Sequence, residues 1–280
     1  MRNGLSVDVE EWFQVGAFER VIQKADWDNL DSRVEHNTAL VLDLFGETGV
    51  KATFFTLGWV AMRHPGLIRR ICDEGHEVAS HGWDHRRVFT MDAKEFRADL
   101  KVAKAALENA TGQQVTGYRA PSFSIDRRTP WAHQVLAEEG YRYSSSVAPI
   151  AHDHYGWAGA PRHAWHPVKG SELIELPITL GTVAGRKIVT GGGFFRLFPA
   201  AITHAAIDRS NGIEGRPAIF YFHPWEVDPG QPRVTGAPLR SRLRHYSRLG
   251  SMAEKMRRLV ERHDWGRVDG VVAAEAARMS

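Results

Sequence analysis

The strongest constraint on this chain is a repeated alternation of short apolar strands with helical patterns. Leu5-Ser6-Val7-Asp8-Val9 reads as a strand. Val34, Thr38, Val41 and Phe45 then recur at helical spacing, with Gly46 and Gly49 marking the helix end. Ala52-Thr53-Phe54-Phe55-Thr56-Leu57 is a second strand, bounded by Gly58. A helix from about Pro65 to Glu74 stops at Gly75, and Glu77-Val78-Ala79-Ser80 is a strand leading into His81. Further helices are expected over 91–109 and 130–139, and further strands over 115–119, 173–176 and 218–222. Such alternation predicts an α/β fold with a largely parallel sheet, and 280 residues suit a single barrel domain.

Composition narrows the chemistry. Hydrophobic residues at 43% supply a sizeable core, and 25% charged residues argue against wholesale disorder. With 36 basic and 33 acidic residues the positive excess is too small to predict nucleic-acid binding. A single cysteine, Cys72, excludes an internal disulfide and a thiolate metal cluster. Any metal site must therefore draw on Asp, Glu and the 14 histidines. No long apolar run precedes the first acid, and no segment approaches the ~20 apolar residues of a membrane span. A cytoplasmic protein is expected, one that a partner could tether to a membrane.

Four short segments carry chemistry. In Ser80-His81-Gly82-Trp83-Asp84-His85, two histidines four apart directly after a strand can converge on one metal ion. In Val7-Asp8-Val9-Glu10-Glu11-Trp12, acids interrupt an apolar strand, which is costly unless they pair or ligate. Alternation puts Asp8 and Glu10 on one face and Glu11 on the other. Arg119, in Tyr118-Arg119-Ala120-Pro121-Ser122, could orient a carboxylate. His223, in Phe222-His223-Pro224-Trp225, ends an apolar strand and suits acid–base work, although a half-buried packing histidine would look the same.

Taken together these segments resemble the polysaccharide deacetylase family, the NodB-homology group of carbohydrate esterases. The resemblance runs from about Leu5 to Trp225. It is nearest to the deacetylases of exosortase/PEP-CTERM exopolysaccharide systems, through Ser6-Val7-Asp8-Val9-Glu10-Glu11-Trp12-Phe13, Lys51-Ala52-Thr53-Phe54-Phe55, Gly117-Tyr118-Arg119-Ala120-Pro121-Ser122-Phe123, Tyr143-Ser144-Ser145-Ser146 and Phe222-His223-Pro224-Trp225-Glu226. It implies an irregular (β/α) barrel of about seven strand–helix units. That barrel would be a single domain over 1–280, with a C-terminal helical extension from about residue 239.

The resemblance also implies the roles. Asp8 becomes the general base, His81 and His85 metal ligands, Arg119 the residue holding the base, the Ser122 N–H an oxyanion donor, and His223 the general acid. Many relatives have adjacent aspartates in the first motif, and Val9 breaks that pattern here. The third ligand role then falls to Glu10, with Glu11 as rival. An acid that tunes the catalytic histidine is common in the family, but Ser144 stands where one is sought. The implied cofactor is one divalent cation, zinc first. The implied partner is an N-acetylated glycan, met in the cytoplasm or at the periphery of an inner-membrane assembly system.

Other features are open to two readings. Trp12, Trp83 and Trp225 could stack on sugar, Trp225 being the one assigned to substrate, or pack the core. Gly191-Gly192-Gly193 reads as a tight turn beside the sheet. The irregular loop from His152 to His166 and the basic amphipathic stretch from Leu239 to His263 are candidate substrate contacts. Ordinary loop structure and helix packing account for them equally well. Two rival functions fit the same residues: a small cyclic amide or ureide hydrolase, and a catalytically silent carbohydrate binder.

Overall fold

A computed structural model describes residues 1–151 and 156–280. Its strands and helices, in chain order, are β1 (Asn3–Val9), α1 (Val34–Thr48), β2 (Thr53–Thr56), α2 (Gly58–Arg63), α3 (Pro65–Asp73), β3 (Glu77–Ser80), α4 (Ala93–Thr111), β4 (Gly117–Tyr118), α5 (Ala132–Glu138) and β5 (Tyr143–Ser144). They continue through β6 (Ile174–Glu175), β7 (Leu180–Val183), β8 (Arg186–Val189), α6 (Gly192–Leu197), α7 (Ala200–Gly212), β9 (Ile219–Phe222), α8 (Leu239–Tyr246), α9 (Met252–Arg262), β10 (Trp265–Gly266) and α10 (Val268–Met279).

The principal sheet runs β1-β2-β3-β4-β5-β6, with β9 on the free edge of β1 and β10 at its foot. Every pairing in it is parallel. The chain leaving β6 then donates from Thr179 N–H to the Ile219 carbonyl at 3.2 Å, which brings the two ends of the curved wall together. The result is the expected irregular barrel. Strand alternation sorts the side chains into two cores. Leu5, Val7, Phe54, Val78 and Phe220 face the helices, whereas Phe55, Ala79, Tyr143 and Ile219 face the interior. Asp8 is in register with Phe55 and so belongs to the inward set. Because the strands are parallel, the loops after β1, β3, β4 and β9 all emerge at one edge.

Local chemistry sets the helix limits. Asp92 and Glu95 form a reciprocal capping box at the start of α4. Gly112 ends that helix in the left-handed conformation, as Gly49 ends α1. Gly46 lies inside α1 and does not end it. The three-glycine run is not a simple turn: it bends at Gly191 beside the sheet, and Gly192 and Gly193 open α6. A Cβ on Gly191 would stand 2.2 Å from the Tyr221 carbonyl oxygen, so only glycine permits this close approach.

The C-terminal stretch departs from a single basic helix. It breaks at Ser247, where Arg248 adopts φ 59°, and then resumes as α9. Leu249, Met252, Met256 and Leu259 are core residues. Arg257, Arg258 and Arg262 pair with Glu47, Glu254 and Asp208. Beyond α9 the chain contributes β10 to the main sheet, so the segment from 239 is not wholly helical. β5, β7, β8 and β10 carry no apolar run that marks them in the sequence, unlike the equally short β2, β3 and β9. Of the His152–His166 loop, residues 152–155 lie outside the described residues. The rest turns back on β6, with Trp165 and Glu175 exchanging backbone hydrogen bonds at 2.9 and 3.1 Å.

Away from that edge, Glu77 opens β3 as a half-buried residue, its carboxyl held above its ordinary range first by desolvation and then by Asp269. A raised acid binds its proton more tightly folded than unfolded, so Glu77's contribution to stability is fully present below 4.5 and is lost as pH climbs from there through about 7. We expect urea midpoints to fall over that rise in wild-type protein and Glu77→Gln to flatten the trend. An unchanged slope in the variant would refute the assignment.

Candidate active site

The inward face of β1 sets the first group. Asp8 sits near the strand's end, 3% exposed, and accepts from Arg119 Nη1 at 2.7 Å. Arg119 is wholly buried behind it. Its Nη1 also donates to Ser6 Oγ at 2.7 Å, and its Nε and Nη2 donate to the Ser145 carbonyl and hydroxyl at 3.0 Å. The guanidinium has no rotational freedom left, so Asp8 keeps one orientation. The Ser145 segment is fixed in turn by Glu175, whose Oε1 accepts from Ser146 and Val147 N–H at 2.8 Å while His133 holds its other oxygen.

Glu10, just past β1, meets His81 and His85 from the loop after β3. One potential ligand atom from each of the three lies within 4.8 Å of the others. His81 Nδ1 is 2.8 Å from the Arg119 carbonyl, which can only accept, so Nδ1 carries the hydrogen and Nε2 the lone pair. Burial pulls His81 down to about 4, which keeps it neutral near pH 7 and able to ligate. His85 approaches from a backbone with φ 63°, and its Nε2 is 2.8 Å from Glu10 Oε2. That Glu10 oxygen is buried and, close as His85 Nε2 stands, accepts no well-aligned hydrogen bond. Burial alone would raise the Glu10 carboxyl, but His85, His223 and His81 pull it well below the usual range. A buried anion with an orphaned oxygen between two imidazoles fits a small divalent cation.

Glu11 does not join this cluster. It points the opposite way and caps the start of α1, accepting from Ser32 Oγ and from the N–H groups of Arg33 and Val34. We expect Glu11→Ala to lower stability by about 1–2 kcal/mol, as loss of a cap does, while metal content stays at the wild-type level. Loss of metal in Glu11→Ala without unfolding would restore Glu11 as a ligand.

His223 faces the same cleft from the end of β9. Its Nδ1 lies 2.9 Å from Glu226 Oε1, and its Nε2 points inward, 3.7 Å from Glu10 Oε1. Burial pulls the imidazole down, but Glu10 and Glu226 outweigh it and hold the ring at about 9. Glu226 remains a partner even when Glu10 serves a cation. An acid thus stands beside His223, although none occupies Ser144, whose hydroxyl donates to Ser146 Oγ at 2.8 Å. Glu226 is itself held by the buried Arg196 at 2.9 Å. Its position three residues after His223, the spacing of a capping box, was the available signal. Nothing local marks Arg196.

The cleft that joins these groups has a volume of about 470 Å³. Asp8, Glu10, His81, His85, Ser122, His223 and Trp225 all line it, while Arg119 stands behind Asp8. Ser122 holds φ 55°, and its N–H has no hydrogen-bond partner among the described residues. Trp225 requires a correction. The residue is only 6% exposed, its ring stacked on His223 at 5.1 Å and on His245 at 4.3 Å, which leaves no open face for a sugar. Its indole N–H donates instead to Glu10 Oε1 at 3.1 Å. Trp12 is core, 3% exposed. The described part of the 152–166 loop does not line the cleft; His163 approaches Glu214, and His166 approaches the Leu173 carbonyl.

These features define a concave site that can combine a cation, a fixed carboxylate and a carboxylate-supported imidazole. Comparison gives the class. Residues 26–144 match the polysaccharide deacetylase family model, and residues 145–273 match a domain of unknown function, DUF3473. The match assigns residues 26–144 to the polysaccharide deacetylase family. It is 35% identical over 88 residues to the peptidoglycan-N-acetylglucosamine deacetylase PgdA of Listeria monocytogenes, 31% of this chain and 19% of that protein. It is 32% identical over 154 residues to a chitooligosaccharide deacetylase of Bradyrhizobium, 55% of this chain and 64% of that one. A putative polysaccharide deacetylase from Mycobacterium smegmatis shares the fold, with a TM-score of 0.63 at 20% identity over 100% of this chain and 92% of that chain. This chain thus spans about a fifth of the Listeria relative. The deacetylase match holds His81, His85 and Arg119. Asp8 and Glu10 precede it, and His223, Glu226 and Arg196 fall in the DUF3473 segment.

Proposed function

We propose that this protein is a metal-dependent hydrolase that removes N-acetyl groups from amino sugars of a glycan. One observation carries the reading: Asp8, fixed by Arg119, and His223, backed by Glu226, converge with the Glu10–His81–His85 cluster in one cleft. A purely carbohydrate-binding protein has no need of that acid–base set. The curated relatives named as deacetylases support the same chemistry.

Glu10, His81 and His85 would hold the cation, zinc being the first choice for two imidazoles and a carboxylate. When bound, it lowers the pKa of water and polarises an acetamide carbonyl. Asp8 takes the proton of the attacking water, and Arg119 keeps that carboxylate aimed at it. The Ser122 N–H donates to the oxyanion that develops on the carbonyl carbon's oxygen. His223 delivers the proton that the departing amine requires, and Glu226 holds the ring so that Nε2 faces the leaving nitrogen. Acetate and a free amino sugar result.

The decisive assay is acetate release from chitotetraose with added zinc, then after chelation. Release that requires the metal supports the proposal; none under any divalent cation defeats it. The motif resemblance to exosortase-linked deacetylases extends the proposal to exopolysaccharide synthesis, with action on the glycan in the cytoplasm before export. No described helix is long and apolar enough to cross a membrane. Unchanged acetylation of exported glycan in a deletion strain would remove that extension.

A further inference from the structure

The wall of the cleft beyond His223 carries two arginines that the proposed chemistry does not use. Arg20 lies in the long segment between β1 and α1, and Arg244 belongs to α8; both are exposed and line the cleft. The segments bearing them pack together, with the Phe18 ring 4.5 Å from His245 and 5.9 Å from Tyr246. Neither guanidinium has a carboxylate partner among the described residues. The other arginines lining the cleft do: Arg87 pairs with Glu19, and Arg196 is buried against Glu226. Two unpaired cations on one wall of a concave site give a focused positive field.

Their place relative to the chemistry is defined. The neighbour of Arg244, His245, stacks on Trp225, which stacks on His223. Arg196 ties the same pieces together, donating to Glu226 and, at 3.0 Å, to the Arg244 carbonyl. The arginine wall therefore lies on the side of His223, where the amine and its sugar would sit. Phe194 and Phe198, stacked at 6.0 Å with an 8° interplanar angle and only partly buried, add an apolar surface to the cleft.

We propose that the cleft takes an N-acetylated glycan bearing an anionic group close to the acetylated sugar, and that Arg20 and Arg244 bind that group. The inference rests on the deacetylase reading of the same cleft. A carboxylate of a uronic acid and a phosphate ester share the required chemistry, because the guanidinium fork matches both.

Two charged and neutral pairs of probes separate the sources. One sets a tetrasaccharide alternating glucuronate and N-acetylglucosamine against chitotetraose. The other sets N-acetylglucosamine 1-phosphate against N-acetylglucosamine. Affinities are measured by calorimetry in an Asp8→Asn background, where turnover does not intervene, and acetate release is followed in the Asp8 protein. Arg20→Gln with Arg244→Gln removes exposed groups that hold nothing in the fold, so action on chitotetraose should stay within about twofold. In at least one pair the anionic probe should bind about tenfold more tightly, less so at high salt, and the double variant should lose that preference. The pair that shows it names the anion. Equal affinity within both pairs, or a preference that survives the double variant, overturns the inference. Absence of acetate from every probe, with the binding preference intact, would instead overturn the deacetylase reading and leave the anion subsite standing.

Discussion

Replacing His81 with alanine is expected to empty the cluster of its cation and lower acetate release on the order of 10³-fold or more, since Lewis-acid assistance is worth several kcal/mol. His81 is 1% exposed, and its ring is fixed by the Arg119 carbonyl. His85→Ala should have the same sign, removing the imidazole that lies beside the orphaned Glu10 oxygen. Metal content measured by elemental analysis, together with far-ultraviolet circular dichroism, distinguishes lost ligation from lost folding. A fully loaded, folded His81→Ala/His85→Ala double variant would refute the ligand set.

Asp8→Asn is expected to act on chemistry alone. The amide oxygen can still accept from Arg119 Nη1, so folding and metal content should persist. The group proposed to take the water's proton is gone, and turnover should fall by about 10²–10⁴-fold, the usual contribution of a positioned base. Arg119→Leu should look different. It leaves Asp8 buried without its partner, and such a broken buried pair costs about 3–5 kcal/mol, so stability should fall along with activity. An Asp8→Asn variant with near wild-type turnover would show that another group is the base.

Much of this site was legible because its signals are local. An acid in the apolar run Leu5–Val9 has to be paired or ligating, and a His-x-x-x-His pair after a strand sits where α/β folds place chemistry. Glu10 and Glu11 show where such reading stops. Alternation separated their faces, but which face met His81 and which met the start of α1 depended on the curvature of the sheet and the path of α1. Trp225 was visible as an aromatic beside His223, yet its covered faces come from His245, twenty positions away on another element.

What the sequence by itself determined is the alternation of β1 to β4 with α1, α3 and α4, the inward parity of Asp8, and the identities of the groups able to do the chemistry. These follow from periodicity and from the cost of burying charge, both properties of short stretches of chain. The tertiary structure alone decided which groups serve one another. It joined Arg119 to Asp8 across 111 positions and Arg196 to Glu226 across 30. It also broke the basic stretch after α8, leaving Arg244 unpaired at the cleft while Arg257 and Arg262 found carboxylates elsewhere. The physical reason is that hydrogen bonds and ion pairs depend on distance in space, and only the closed, twisted sheet brings the ends of β1, β3, β4 and β9 to one edge.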